Sequence, residues 1–371
     1  MTRTVVLAGT SGYGSTYLRE ITELEAEGAV RLVGLCDVRP PTATAHQPFA
    51  DRPFDTSLDR LLTLTHPDVA IVSTPIHTHL PLGRAALNAG CHLMLEKPPA
   101  PSAAEWRELA ALARSAGVSC QVGFQSLGSG AYARLRELIG AGTLGRVEGI
   151  GCYGAWSRDA AYYRRASWAG RRELRGVPVA DGALTNPFAH AVATALALDA
   201  STDWDDITAL DTELFRVRDI ETDDTSCLRM TSRRGTVITV AVTLAAQTPS
   251  EPVIIVHGSR LRAELHYTRD LLVLDGRPSQ HDRTSPLRNL LAHLDDPRIA
   301  LQSDIAACGA FTRVLDTVNT TPAPRMVDER WLVHEGVGDT ARTYLPGVEQ
   351  AVRMSAEQLA TFTELDEPWA A

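Results

Sequence analysis

The strongest constraint on this chain is a rhythm. Through residue 124, short runs of aliphatic and β-branched residues alternate with apolar residues at helical spacing. Val5-Val6-Leu7-Ala8, Arg31 to Cys36, Pro67 to Thr74, Cys91 to Leu95 and Ser119 to Phe124 read as strands. Between them, Ser102 with Glu105 three residues on has the pattern of a capped helix start, and Gly90 closes a helix running from Leu80 to Ala89. Strand and helix in turn require parallel pairing with right-handed crossovers. An open α/β sheet is therefore expected, with ligands bound outside the carboxyl ends of its strands.

The residues at those strand ends carry the chemistry. Gly9-Thr10-Ser11-Gly12-Tyr13-Gly14 follows the first strand and precedes a helix with Tyr13, Tyr17, Ile21 and Leu24 on one face. Glycine there lets backbone N–H groups approach a phosphate at a helix N-terminus. The spacing departs from G-x-G-x-x-G: Gly9 and Gly14 fit its first and third positions, while Ser11 takes the second and Gly12 follows. Asp37 ends the second strand, 23 residues beyond Gly14, where such folds hold the adenosine ribose. It favours NAD. Arg39 could pair with a 2′-phosphate, so NADP is disfavoured but left open. His77 and His79 follow Thr74-Pro75 without a third ligand of matching type nearby, so no metal is expected.

The last of these strands to bear charge is Leu93-Met94-Leu95, which runs into Glu96-Lys97-Pro98-Pro99. Proline cannot continue a ladder, so an amine is held at the sheet rim, where partial desolvation can tune it for proton transfer. Lys97 is the first candidate for an acid/base. An isolated Glu-Lys-Pro would be read as a solvated turn; its place in a dinucleotide-type half favours chemistry.

Five elements in this order resemble the Gfo/Idh/MocA family of nicotinamide-dependent oxidoreductases, which act mainly on sugars, inositols and related polyols. They are the loop Gly9 to Gly14, Asp37, Thr74-Pro75-x-x-x-His79, Ala89-Gly90-x-His92 leading to Glu96-Lys97-Pro98, and Val122-Gly123-Phe124-Gln125. The resemblance implies a Rossmann-like domain over residues 1–125. It further implies an α+β domain over residues 126–371, whose large, mostly antiparallel open sheet would build a homodimer or homotetramer. Gly9, Ser11, Gly12, Tyr13, Gly14, Asp37, Arg39, Thr74, Pro75, His79, Glu96, Lys97 and Gln125 would contact the cofactor. Lys97 would lie near the reacting carbon, and proline at 98 admits a cis bond before it.

In the second half, Ala131 to Ala141 reads as a helix and Val147 to Tyr153 as a strand. The run Trp156 to Arg172 is dense in aromatics and arginines, suited to a polyol or acidic sugar and equally to a subunit contact. Tyr163, Trp168 and Arg171 are its candidate substrate residues. From Pro187 a helix is expected, with Asn186 as N-cap. This segment resembles the one in which the family points an Asp and, four residues later, a His into the site. His190 matches the histidine. Asn186 stands in place of the aspartate and no acid follows at 193 or 194, so the acid/base burden falls on Lys97 and His190, with Asn186 orienting a hydroxyl. The competing role for His190 is a satisfied core histidine. Beyond it, Ile207 to Val217, Thr225 to Thr231, Thr236 to Leu244, Pro252 to His257 and Leu261 to Tyr267 read as antiparallel strands. Helices Pro286 to Leu294 and Asp304 to Val318 lead back toward the first domain, and residues from about 325 form an elaboration that caps the site or braces a neighbour.

Composition narrows the partners. A net charge of -9 argues against a broad nucleic-acid surface, and no apolar run is long enough to span a bilayer. The six cysteines are scattered without a CxxC pair, as expected of reduced core residues in a cytoplasmic protein. The expected function is hydride transfer between nicotinamide and a secondary alcohol or ketone of a sugar, cyclitol or related polyol. Two rivals stand beside it: a redox-neutral elimination or glycoside cleavage that returns its hydride, and a non-catalytic dinucleotide sensor.

Overall fold

The computed structural model of the chain describes residues 2–40 and 49–371. Its contacts group it into two compact units, residues 1–124 with 285–306, and residues 125–284 with 307–371. The second domain is thus not the continuous 126–371 expected from the sequence, because one later segment belongs to the first unit.

The first unit is a doubly wound sheet. Its strands are β1 (Arg3–Ala8), β2 (Val30–Cys36), β3 (Phe54–Asp55), β4 (Val69–Val72), β5 (His92–Leu95) and β6 (Cys120–Val122). They pair in the order β3-β2-β1-β4-β5-β6, every pair parallel. Helices α1 (Gly14–Ala26), α2 (Leu58–Thr65), α3 (His79–Asn88) and α4 (Ala103–Ala116) make the crossovers. Val5 to Ala8 and Val69 to Val72 are wholly buried, as strands covered on both faces must be. Ser102 Oγ accepts from Glu105 N–H to cap α4, and Gly117, at φ 66°, closes it.

Residues 285–306 complete this unit. The helix Pro286–Asp295 opens on its Ser285 cap and adds Leu287, Leu290 and Leu291 to the core beneath α1. Arg288 grips Glu27 with both terminal nitrogens, at 2.7 and 2.8 Å. Buried Gln121 explains why this segment returns: its amide donates to Asn289 Oδ1 and Pro286 O and accepts from Ser303 N–H. A wholly buried amide on β6 needs all these partners.

The second unit is built on nine strands. They are β7 (Val147–Ser157), β10 (Ile207–Arg216), β11 (Thr225–Ser232), β12 (Val237–Thr243), β13 (Ala245–Gly258), β14 (Arg262–His266), β15 (Leu271–Leu274), β16 (Arg277–Gln280) and β17 (Arg325–Met326). The numbers β8 and β9 belong to a small hairpin, Glu173–Leu174 and Val177–Pro178. The sheet order is β16-β15-β14-β13-β7-β12-β11-β10-β17, antiparallel except where β7 meets β12 and β10 meets β17. The second helix expected to lead back to the first domain stays in this unit instead. It is Gly309–Thr320, preceded by a 3₁₀ turn at Ile305–Cys308.

Residues 325–343 are mostly exposed, whereas the segment from Tyr344 onward contributes to the core rather than forming an elaboration. The helix Val348–Gln358 lies on β7, β12 and β13, and Leu345, Val348, Val352, Phe362 and Trp369 share one buried cluster with Phe215 and Ala241. One face of these central strands is covered by the chain's own C-terminal segment. All six cysteines are buried. Among the described residues, no helix is long and apolar enough to cross a membrane.

Candidate functional site

In the first unit the predicted cofactor residues gather at the carboxyl ends of β1, β2, β4 and β5. Gly9 has φ +87°, and a Cβ there would sit 2.1 Å from the Ser73 carbonyl oxygen; one on Gly14 would sit 2.0 Å from the oxygen of Gly9. The loop is thus walled by its own backbone and by the turn after β4. Its mouth is open: Ser11, Gly12 and Tyr13 are exposed, and a Cβ on Gly12 would meet nothing within 4 Å. Tyr13 is the N-cap of α1 rather than part of its buried face, because the helix begins at Gly14. Its ring stands edge-on to Tyr17 at 5.6 Å.

Asp37 clamps this loop. Its Oδ2 accepts from both the N–H and the hydroxyl of Thr10, at 2.8 Å each, and its Oδ1 accepts from Val38 N–H at 2.7 Å. A carboxylate has about four acceptor sites, so these bonds leave one on Oδ1 for a ribose hydroxyl. Thr10 was not a sequence candidate, and a hydroxyl beside the first loop glycine is its only signal. Arg39 is exposed two residues on.

The turns after β4 and β5 are tied together by a residue expected to touch cofactor. His79 is buried, with Nε2 2.8 Å from Thr74 O and Nδ1 2.9 Å from Pro98 O. Both ring nitrogens face backbone carbonyls and the neutral ring's one N–H donates to one of them, so His79 braces the Thr74-Pro75 and Lys97-Pro98 turns. The Lys97–Pro98 bond is cis. The two carbonyls favour a protonated ring, but burial outweighs them and sets its pKa at about 4. The unfolded chain's histidine titrates near 6.5, so between these values only the unfolded state holds the proton. Stability is therefore present above about pH 6.5 and falls by up to about 3 kcal/mol as pH drops to about 4. Urea titrations across this range should show a shallower acid loss for His79→Gln; parallel curves would exclude His79 as the source.

Glu96 is likewise a brace rather than a cofactor contact. It is buried, accepts from Tyr17 OH at 2.7 Å and from Lys97 N–H at 3.1 Å, and lies where a Cβ on Gly123 would stand 2.6 Å from its Oε1. Burial pushes its carboxyl up, with Tyr17 and the Lys97 charge pulling the other way. Tyr17, on the buried face of α1, thus links the loop helix to the lysine turn. Lys97 itself is half-buried directly after β5.

The second unit holds the remaining candidates. Gln125 opens a 3₁₀ turn, and its carbonyl accepts from Arg283. Asn186 is not an N-cap: the helix α7, counted after Gly130–Gly140 (α5) and Ala160–Arg164 (α6), runs Ala189–Leu198 with Phe188 at its cap. The Asn186 amide instead donates to Asp181 Oδ1 at 2.5 Å. His190 sits in the first turn of α7, half-buried, its carbonyl accepting from Thr194 Oγ1 at 2.7 Å. Asn186 lies in the turn just before α7 and His190 in its first turn, while Lys97 belongs to the other unit.

The aromatic and arginine run is turned largely upon itself. Tyr163 packs edge-on to Tyr162 with Arg218 over its ring, Trp168 lies under Arg165, and exposed Arg171 is 3.7 Å from Glu221. Tyr163 and Arg171 line a cavity of about 790 Å³ with Arg164, Arg172, Arg216 and Glu221; Asn186 and His190 do not line it. Among the described residues, no group of three His, Cys, Asp or Glu is arranged to hold a metal.

Comparison with known proteins gives a consistent result. Residues 3–124 match the oxidoreductase family, NAD-binding Rossmann fold, and residues 132–264 match the GFO/IDH/MocA C-terminal domain. D-glucoside 3-dehydrogenase of Escherichia coli is 33% identical over 122 residues, 32% of this chain and 34% of that protein. The dTDP-3,4-didehydro-2,6-dideoxy-alpha-D-glucose 3-reductase of Streptomyces violaceoruber is 33% identical over 92 residues, 25% of this chain and 27% of that protein. The chain covers about a quarter to a third of the length of such curated relatives. Among solved structures, the WlbA dehydrogenase of Bordetella pertussis, crystallised with NADH and UDP-GlcNAcA, shares the fold. Its TM-score is 0.72 at 19% identity, over 86% of this chain and 95% of that one.

Proposed function

We propose, since this chain belongs to the Gfo/Idh/MocA family of oxidoreductases, that it moves a hydride between NAD and a secondary alcohol or ketone of a sugar, cyclitol or related polyol. The observation that carries this reading is the Gly9–Gly14 cradle, tight against Ser73 on one side, open at Gly12 on the other, and clamped by Asp37. Its residues fit a dinucleotide: backbone and the N-terminus of α1 for the pyrophosphate, and the remaining Asp37 acceptor for one ribose hydroxyl. A carboxylate there repels a 2′-phosphate, which favours NAD over NADP. Sugar-directed names among the relatives support the substrate class.

Bound NAD would supply the hydride acceptor. In the oxidative direction, Lys97 in its neutral form takes the hydroxyl proton as the carbon gives up its hydride, and His190 serves as the second acid/base. Asn186 orients the hydroxyl. Proton transfer by a positioned base typically contributes about 10²–10⁴-fold. The expected result in an absorbance assay for NADH is net reduction of NAD by at least one member of a panel of sugars, cyclitols, sugar acids and nucleotide sugars. A sugar converted without net NADH would move the reading to redox-neutral chemistry. NAD binding with no sugar converted would point to a sensor and sink the proposal.

A further inference from the structure

Asn186 faces a carboxylate for which the mechanism above has no use. Asp181 is 5% exposed, and its oxygens accept from Asn186 Nδ2 at 2.5 Å, Gly170 N–H at 2.7 Å and the Arg165 guanidinium at 3.1 and 3.2 Å. A carboxylate can only accept, so the amide must present its NH₂ to Asp181. The flipped amide would press Oδ1 against a buried anionic oxygen. Its carbonyl oxygen, in the same amide plane, therefore points away from Asp181 Oδ1.

The surroundings are built to keep that anion in place. Burial pushes the Asp181 carboxyl up, and Arg165 is the chief force holding it down. Arg165 is fixed in turn, with its guanidinium 3.6 Å over Tyr162 and 4.7 Å over Trp168. Arg158 lies over Trp156 and Tyr162, and Trp156 stacks at 4.4 Å on Phe188, two residues beyond Asn186. The run 156–168 and the turn 181–188 thus form one closed cluster around the Asp181–Asn186 bond.

We propose that Asp181 is a positioning residue that sets the sense of the Asn186 amide. The site then meets its substrate at 186 with an acceptor, the partner suited to a hydroxyl that donates. This rests on the reading of the 186–190 turn as the substrate site. The charge of the pair then sits on Asp181, five positions before the amide that meets substrate.

The test is a swap. Asp181→Asn keeps the shape but lets both amides point either way, so kcat should fall between about 10- and 100-fold with NAD affinity unchanged. Asn186→Asp alone sets two carboxylates face to face, which share a proton and should bring an acid limb displaced to high pH into the kcat/KM profile. The double variant Asp181→Asn/Asn186→Asp restores the bond in reverse. It should recover kcat above both single variants and show the acid limb at ordinary carboxylate pH, a limb absent from the wild type. Asp181→Asn with a lowered Tm but wild-type kcat and pH profile would make the contact merely structural and overturn the proposal. So would a double variant no better than the poorer single. If the wild type converts nothing in the sugar panel, the reading of function has failed, and Tm alone decides the pair. A swap that loses less Tm than either single upholds the fixed amide, and one that loses as much or more overturns it.

Discussion

Lys97→Met is expected to lower turnover by about 10²–10⁴-fold while NAD still binds. The substitution removes the amine but keeps an unbranched side chain of similar length. The backbone that carries it is held independently, by the wholly buried Leu93, Met94 and Leu95 and by the bond from Lys97 N–H to Glu96 Oε2. The cradle at Gly9–Gly14 and the Thr10–Asp37 clamp are formed by other strands and do not involve the side chain. NAD affinity by calorimetry should therefore match the wild type while steady-state rates collapse. Undiminished turnover would remove Lys97 from the mechanism, and lost NAD binding would make it a cofactor contact.

The first unit was largely legible in the sequence because each level of signal agreed there. Strand runs, the Ser102 cap and the closing glycines all fall within a residue or two of their places. Asp37 and Lys97 could be found because a strand end is a position readable from the chain. What those residues touch was less legible. The Thr10 bonds to Asp37, the His79 bond to Pro98 and the Glu96 bond to Tyr17 join residues 19 to 79 positions apart.

Asn186 shows local propensity losing to a tertiary partner: an Asn-Pro pair reads as a helix start, but a buried carboxylate took the amide first. A signal for it did exist. Asp181 sits between Val179-Ala180 and Ala183-Leu184, and a charge inside such an apolar run must find a partner. The hairpin of β15 and β16 was also readable, since Asp275-Gly276, both at positive φ, form the two-residue turn that such dipeptides favour. Pro249 and Pro252 hid the first half of β13, whose register is broken where they occur.

The most consequential misreading, the C-terminal segment, leads to the second large expected effect. Gly151→Val should destabilise the protein by about 3 kcal/mol or more. A Cβ at 151 would lie 1.9 Å from the carbonyl oxygen of Ala356, and one at 149 would lie 2.1 Å from Leu359 Cδ1. A flexible side chain such as Leu359 can move, but the backbone of Val348–Gln358 cannot shift at Ala356 without lifting the helix. That would uncover Val348, Val352 and Phe362, which are wholly buried. Gly154, of opposite parity on the same strand, meets Phe188 at 2.4 Å, so β7 is overlaid closely on both faces. Three glycines in one central strand mark this close approach in the sequence itself. Urea unfolding should show the loss for Gly151→Val, and Gly140→Ala, with nothing within 4 Å of its new methyl group, should be neutral or stabilising by about 0.5 kcal/mol. Equal stabilities for Gly151→Val and the wild type would mean that the helix does not rest on β7.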